Sequence, residues 1–421
     1  MSEHDHELVS QRRDAAKVDP GAPSAEELKA RFGRDIFDDF DFKDPRFGDQ
    51  LTDVMDLHLS HCPVARSRVG KGYWWVSRNA DIRRLGQDWK TFSSAQGYIP
   101  NRPEGMPYIL PVEMDPPRQT AWRSVLNPWM APDVVASFEP RVRADANELI
   151  DRFIDRGECE YIAEFGSILP GWALFKCVLG VPVDVLGEFV HNTERSLYGP
   201  TEARAGYAQR LFEMLDEYLQ QRRTLPPRGD MVDTILKGVT YENGEPAPWL
   251  DQVGIAADMV YGGIGTTIYV LGSVLHYLAT HPVERQMLID RPDLVTNAVE
   301  EFVRVFPPVI GLARHCTRDV EVSGTPMKKG DCVVLAYSAS SRDPRVVEDP
   351  TRIDITRQSV LHSAFGVGPH RCIGSNLARL EMRVAIEEWL RRIPQFRMKP
   401  GTEPSYETDL LRSMVSLHLV W

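Results

Sequence analysis

The chain has 421 residues, of which 43% are hydrophobic, so it can bury a large core. Its formal net charge of −11 argues against general nucleic-acid binding, because proteins that neutralise backbone phosphates carry basic surfaces. The six cysteines are scattered without a C-x-x-C pair, which excludes a disulfide framework and suits a reducing compartment.

The first fifty residues lack the apolar segment of a signal peptide, and no run of about eighteen uninterrupted apolar residues follows. We therefore expect a cytoplasmic chain without a membrane anchor. Residues 1 to about 20 are predicted to be loosely ordered.

The predicted elements form one domain over residues 1–421, mainly α with a smaller β-rich portion (α+β). Helical periodicity dominates from about residue 117 to 305, with prolines at the predicted helix starts. Short apolar runs beside turn residues predict strands at Tyr73–Ser77, 321–322 and 331–337. A loop, a long helix and a short β segment ending at Trp421 complete the chain.

A glycine-rich stretch interrupts the central helical pattern. Gly262, Gly263 and Gly265 lie within four residues, and each glycine costs a helix interior about 1 kcal/mol relative to alanine. This indicates that the backbone is opened there, as at a kink or π-bulge. Tight packing on a neighbouring helix through small residues would explain the same glycines, and both explanations stay open.

Residues Phe365 to Gly374 read Phe-Gly-Val-Gly-Pro-His-Arg-Cys-Ile-Gly and open directly into a helical pattern. Cys372 therefore lies near the positive end of a helix dipole and close to Arg371 and His370, an environment that favours a thiolate. The glycines allow the backbone to approach something flat and bulky. For an isolated cysteine, a buried structural thiol is the simpler interpretation.

The pattern Phe-x-x-Gly-x-His-x-Cys-x-Gly resembles the haem-thiolate loop of the cytochrome P450 family. Four further segments resemble the same family in the same order. They are Met114–Arg123, Asp258–Thr267, Glu301–Arg304 and Pro307–Arg314. The resemblance implies the P450 fold, with a long central helix over the haem, in a soluble enzyme of the bacterial type.

The resemblance also implies how haem b is held. The Cys372 thiolate would bind the iron, within a loop that includes Phe365 and Gly366. Four donors, each otherwise a surface side chain, would face the propionates: Gln119, Arg123, Arg314 and His370. Glu301 and Arg304 share a helix face, and in the family such a pair locks to an arginine at the position of Arg357, which would keep the thiolate loop in register.

The glycine-rich stretch resembles the family's oxygen-binding groove, small-Gly-x-acid-Thr. Gly263 and Thr266 match this pattern, and Thr266 would hold water for proton delivery to O₂, the co-substrate. Gly265 occupies the place of the acid. Asp258 lies two turns earlier, about 10 Å along the axis, too far to replace the acid without a bridging water.

The substrate pocket is expected above the haem. The loop from Gly97 to Val112 would cap it, and the expected lining residues are Tyr98, Met106, Tyr108, Leu110, Asp258, Tyr261, Gly262, Val309 and Ile310. A small-to-medium hydrophobic compound fits this composition, such as a terpenoid, an alkyl aromatic or the edge of a steroid. Asp258 suggests that a hydroxyl or an amine of the substrate is recognised.

The activity implied is a monooxygenase that inserts one atom of O₂ into a C–H bond. No flavodoxin-like, Rossmann or iron–sulfur segment is attached, so NAD(P)H electrons would come through a ferredoxin and its reductase. A basic docking patch for that partner would comprise Arg118, Arg123, Arg371 and Arg379. We expect a monomer.

Two other classes of function stay open. The missing acid suggests a haem-thiolate peroxygenase or a catalyst of oxidative coupling or rearrangement. A non-catalytic haem sensor is the other class, and the Thr266 groove argues against it.

Overall fold

The computed structural model describes residues 24–42, 44, 50–102, 104–409 and 411–421. The predicted loose order of residues 1 to 20 concerns a segment outside this range. Helices are the dominant element. In chain order they are α1 (Ala25–Phe32), α2 (Leu51–His61), α3 (Asn79–Gln87), α4 (Arg118–Leu126), α5 (Pro132–Ser137), α6 (Glu139–Asp151), α7 (Ile168–Ala173), α8 (Leu186–Tyr198), α9 (Thr201–Arg223), α10 (Met231–Lys237), α11 (Trp249–Gly263), α12 (Gly265–Thr280), α13 (Pro282–Asp290), α14 (Val295–Val305), α15 (Tyr337–Ser340) and α16 (Ser375–Arg392).

Short strands make up the β-rich portion. They are β1 (Val64–Ser67), β2 (Tyr73–Val76), β3 (Phe92–Ser93), β4 (Glu158–Glu160), β5 (Leu312–Cys316), β6 (Val320–Val322), β7 (Thr325–Met327), β8 (Cys332–Leu335), β9 (Arg397–Met398), β10 (Ser405–Thr408), β11 (Arg412–Ser416) and β12 (His418–Val420). The predicted α+β class is confirmed, and each of the three predicted strands is present with its ends shifted by one or two residues.

The largest sheet has five strands in the order β1-β2-β8-β5-β3. β2 and β8 are parallel, with Trp75 opposite Val334, and the other neighbours are antiparallel. All of β2 is buried. Phe40 packs edge-on against Trp75, with ring centroids 5.0 Å apart. This sheet carries β5 and therefore Arg314 to the edge of the site.

The second half of the central helix is buried on nearly every side. Apart from Thr266 and the end of the helix, almost every residue of α12 is buried, and it packs against α16, the helix that follows the cysteine loop. A helix that is apolar all round belongs in a protein core. The cysteine loop and the central helix are thereby fixed relative to each other.

Two helical stretches, Ile162–Leu179 and Trp249–Thr280, are long and apolar enough to cross a membrane by length and composition. Of their most apolar windows, 67% and 78% are buried inside the protein. Core helices of soluble proteins have the same character, so these stretches give no argument for a membrane span.

Candidate active site

A cavity lies between the central helix and the cysteine loop. Its wall includes Thr266 and Gly263 on one side and Cys372, Phe365 and Gly366 on the other. Most of the remaining wall is apolar.

The cysteine loop is a compact turn that only glycine permits. Gly366 and Gly368 have φ of +69° and +71°, and a Cβ on Gly368 would lie 2.1 Å from the Gly86 carbonyl oxygen. The Cys372 amide donates to the Phe365 carbonyl at 2.8 Å. The Cys372 side chain is exposed, and it faces the cavity.

Polar donors gather around the same side of the cavity. Gln119 Nε2 donates to the Pro369 carbonyl at 2.6 Å, and Arg123 Nη2 donates to the Arg371 carbonyl at 2.9 Å, so α4 is tied to the cysteine loop. His370 Nε2 is buried without a hydrogen-bond partner among the described residues.

Arg314 lies on β5 beside this group and not on the cavity wall itself. Its Nη1 donates to the Ala313 carbonyl at 2.7 Å, whereas its buried Nη2 has no hydrogen-bond partner among the described residues. Burial lowers the pKa of His370 well below its usual value, and the charges of Arg314 and Arg123 lower it further. His370 is therefore a neutral donor or acceptor beside two cations.

Glu301 and Arg304 form a fully buried fork–fork ion pair, with bonds of 2.7 and 2.8 Å. Arg304 also donates to the carbonyls of Pro350 and Arg352 at 2.8 and 3.0 Å. Arg357 Nε lies 3.4 Å from Glu301 Oε2. The structure thus brings the three residues together and ties α14 to the segment before the cysteine loop.

The central helix is broken at Ile264. α11 ends at Gly263 and α12 begins at Gly265, with Ile264 at φ −108° and ψ −70° between them. Thr266 Oγ1 donates to the Gly262 carbonyl at 2.8 Å. A Cβ on Gly263 would lie 3.0 Å from Leu174, whereas one on Gly265 would meet nothing within 4 Å. Both explanations of the glycines therefore hold, at different positions.

Comparison with known proteins decides the family. The sequence model of the family Cytochrome P450 matches residues 185–418. Over 380 residues, the chain is 30% identical to probable cytochrome P450 127A1 of Sinorhizobium fredii, which covers 89% of this chain and 90% of that protein. Over 373 residues, it is 30% identical to linalool 8-monooxygenase of Pseudomonas putida, covering 83% and 90%. The chain belongs to the cytochrome P450 family.

A solved P450 structure shows the same fold. The crystal structure of CYP101J2 superposes with a TM-score of 0.80 over 91% of this chain and 96% of that one, at 28% sequence identity. The P450 fold and an oxidoreductase activity of the monooxygenase type are therefore established for this chain. Haem bound through a cysteine thiolate is the cofactor, with O₂ as co-substrate and NAD(P)H acting through partners.

The residues present fit a P450 haem. A planar group carrying two carboxylates would meet the unpartnered nitrogens of Arg314 and His370, and Arg is well suited to bidentate carboxylate binding. Cys372 is the one described cysteine on the cavity wall. Phe365 lies under the Arg379 guanidinium at 4.3 Å and closes the same side.

The pKa of the Cys372 thiol is raised by its enclosure within the surrounding protein, and the Gly374 amide hydrogen bond and the charges of Arg123 and Arg371 only reduce this effect. Coordination to a haem iron would itself deprotonate the thiol.

Four of the residues predicted to cap the substrate pocket are not on the cavity wall: Tyr98, Met106, Tyr108 and Leu110. Tyr108 is half-exposed and stacks on the Arg102 guanidinium at 4.2 Å. Leu110 packs against Gly254 of α11 in the core. Pro111 and Val112, which follow in the chain, face the cavity instead.

Two further expected wall residues lie elsewhere. Tyr261 is buried, and its hydroxyl shares a 2.8 Å hydrogen bond with Ser196 of α8, so it joins two helices and does not face the cavity. Ile310 is fully buried in the sheet core. Gly262 and Val309 do line the cavity, as does Asp258.

A buried carboxylate explains where the cap residues go. Glu113 accepts from Arg102 Nε at 2.8 Å, from the Ile109 amide at 2.8 Å and from the Tyr98 amide at 3.3 Å. We call Glu113, Arg102, Tyr98 and Ile109 the Glu113 cluster. It folds the loop onto itself, so that side chains expected in the pocket serve the loop's own packing.

An acidic residue on the cavity wall was not predicted from the sequence. Glu381 of α16 is almost fully buried on the cavity wall, its carboxyl is hydrogen-bonded by Thr267, and Oε1 has no partner among the described residues. Burial raises its pKa well above the usual value, so the group is a neutral acid. The available signal was an acid on the apolar face of a helix, between Leu377 and Ala385.

Proposed function

We propose that this P450 inserts one atom of O₂ into a C–H bond of a small-to-medium hydrophobic substrate, with Cys372 as the iron ligand. The observation that supports this most is the position of Cys372, which faces a largely apolar cavity opposite the Thr266 groove. Linalool, named for one relative, is an example of a hydrophobic substrate.

Each residue then has a defined task around the haem. Thiolate-bound haem iron supplies the oxygen chemistry, because the sulfur donates electron density that favours O–O cleavage. Arg123, Arg314 and His370 bind the propionates, and Gln119 holds the loop through Pro369. Thr266 Oγ1 and the Gly262 carbonyl hold a water and pass a proton at the helix break.

The proposed electron donor is a separate ferredoxin with its reductase. Arg371 is exposed beside Cys372 and is available for docking. Arg379 is not, because it forms a bidentate pair with Glu300. Arg118 lies 3.5 Å from Glu242, with both side chains about half-exposed, and a partner's carboxylate could exchange with that pair at little cost. A monomer in the cytoplasm completes the proposal.

The iron-ligand assignment is tested on the reduced, carbon monoxide-bound protein. The wild-type protein should absorb at the position typical of thiolate-bound haem, and Cys372→Ser should lose that band. Cys177→Ser, which removes another partly buried thiol, should keep it. Retention of the band in Cys372→Ser would remove Cys372 from the proposal.

The absent acid at Gly265 favours a second candidate, a peroxygenase or a catalyst of oxidative coupling or rearrangement. Turnover of one substrate with a reconstituted ferredoxin system and with hydrogen peroxide separates the two candidates. A monooxygenase is faster with the ferredoxin system, and a peroxygenase is faster with peroxide.

A further inference from the structure

Asp258 is a carboxylate on the cavity wall. It lies on α11, one turn before Gly262, and its partly exposed side chain faces the cavity. Among the described residues, no Arg, Lys or His nitrogen lies within 4 Å of its carboxylate and no side chain hydrogen-bonds it. Glu113 and Asp145, by contrast, are buried acids that pair with cations, Glu113 with Arg102 at 2.8 Å and Asp145 with Lys176 at 2.7 Å.

Four ionisable groups influence Asp258 from three directions. Arg123 reaches from α4, Glu113 and Tyr98 belong to the Glu113 cluster, and Cys372 lies in its own loop. Arg123 is the one cation in this set, and its Nη2 already donates to the Arg371 carbonyl. Burial raises the pKa of Asp258 to about 7, since the attraction of Arg123 offsets burial only in part.

The side chains around Asp258 indicate which kind of ligand its carboxylate would bind. Asp258 shares the cavity wall with apolar side chains such as Leu174, Val309 and Val112. An ionised carboxylate in such a site loses several kcal/mol of hydration. A cation can offset this loss, whereas one hydrogen bond from a neutral donor to the charged group, worth about 1.5–3 kcal/mol, offsets only part of it. The net charge of −11 also raises the local concentration of cations at the protein.

We propose that Asp258 binds the protonated nitrogen of the substrate, so that the preferred substrates are hydrophobic amines whose apolar part extends toward the Thr266 groove. This inference rests on the proposed function and names the substrate class of that site. The Asp258 carboxylate attracts the ammonium group, and the apolar wall binds the hydrocarbon part of the substrate. The alternative partner for the carboxylate is a hydroxyl group of the substrate.

The test measures dissociation constants on haem-loaded protein. The probes are N,N-dimethylalkylamines of graded length, each paired with the branched alkane that has CH in place of nitrogen and with the primary alcohol of equal length. Binding is read from the spin-state shift of the haem band and, independently, from calorimetry. Direct coordination of an amine to the iron shifts the band in the opposite direction and is identified by that sign.

The wild-type protein should bind the amine at least tenfold more tightly than its neutral isostere, and Asp258→Asn should lose most of that ratio. Asp290→Asn removes the same charge from an exposed position and should keep it. Three results overturn the inference. The ratio of the isostere's dissociation constant to the amine's could be unchanged in Asp258→Asn, only the alcohols could bind more weakly to that variant, or the amines could bind solely by coordinating the iron. A missing thiolate band in the carbon monoxide spectrum would instead contradict the proposed function.

Discussion

The carboxyl group of Glu381 illustrates at the residue scale how burial sets protonation. It lies on the cavity wall with Thr267 as its hydrogen-bond partner, and no cation contributes to its pKa shift. Glu388, two turns along the same helix, is equally buried but accepts from Arg143 and Arg391. Although burial acts to raise the pKa of Glu388, those bonds lower it overall. Two glutamates on one helix thus take opposite charge states.

Replacing Glu381 by glutamine should stabilise the protein increasingly as pH rises. The wild-type carboxyl is protonated when folded and ionises when unfolded, so above the unfolded pKa of about 4.3 folding must take up a proton. The wild type should therefore lose up to about 1.4 kcal/mol per pH unit relative to Glu381→Gln until the raised folded pKa is reached. Urea unfolding of the haem-loaded proteins from about pH 5 to 8 measures this difference.

Glu388→Gln is the matched control for that series. Its folded pKa is lowered, so the wild-type ion pairs contribute stability that is present above the unfolded pKa and is lost in acid. Glu388→Gln should be destabilised by a constant amount over the same pH range. A flat difference for Glu381→Gln would show that Glu381 is ionised in the folded protein.

Thr266→Ala should divert electrons from substrate to hydrogen peroxide. The Thr266 hydroxyl, which donates to the Gly262 carbonyl at the helix break, is the group that we propose holds water there, and Gly265 supplies no acid to replace it. Product formed per NAD(P)H consumed should fall severalfold, while NAD(P)H oxidation itself continues. Thr280→Ala, at the far end of the same helix, should leave the ratio unchanged. An unchanged ratio in Thr266→Ala would exclude this route for the proton.

At the scale of elements, the Glu301–Arg304 pair fixes where the cysteine loop begins. Its bonds run from α14 to the carbonyls of Pro350 and Arg352 and to the Asp354 amide. Helical spacing predicts the pair itself, since i and i+3 share a face. The carbonyl groups that Arg304 binds belong to a segment nearly fifty residues later in the chain. Contacts over such a separation cannot be predicted from a local sequence pattern.

Arg304→Met should destabilise the protein by about 3–5 kcal/mol, because it leaves Glu301 buried without its fork of donors. Arg357→Met should cost about 1 kcal/mol, because Glu301 keeps Arg304 and the 3.4 Å contact is partly exposed. Chemical unfolding of the haem-loaded variants measures both values, and the rate of haem loss should follow the same order. Equal losses would mean that Arg357 shares the role of Arg304.

The position of the break in the central helix could be predicted from the sequence, because glycine destabilises any helix interior. The cap residues predicted for the pocket, by contrast, do not lie on the cavity wall. Apolar and aromatic residues in a loop indicate burial, but not the direction in which each side chain points. A single buried acid, Glu113, decides that direction by collecting donors from along the loop.

At the scale of the whole molecule, the haem site was the most predictable part. Haem-thiolate binding requires particular residues at short spacing, and most of those residues lie within residues 365–374. The raised pKa of the Cys372 thiol could not be predicted from the sequence, because the enclosure of that thiol depends on the complete fold. No single motif determines the substrate class, since the cavity wall is assembled from α4, α11, α12, α14, α16 and other segments far apart in the chain.

The Glu113 cluster has a consequence for how this enzyme can diverge. The residues that hold the loop together, Glu113 and Arg102, are separate from Pro111 and Val112, the loop residues that face the cavity. Replacing Val112 by a larger or smaller side chain changes the shape offered to a ligand and leaves the ion pair intact. New substrate preferences can therefore accumulate by single substitutions without a penalty in folding, which makes this loop an evolvable part of the protein.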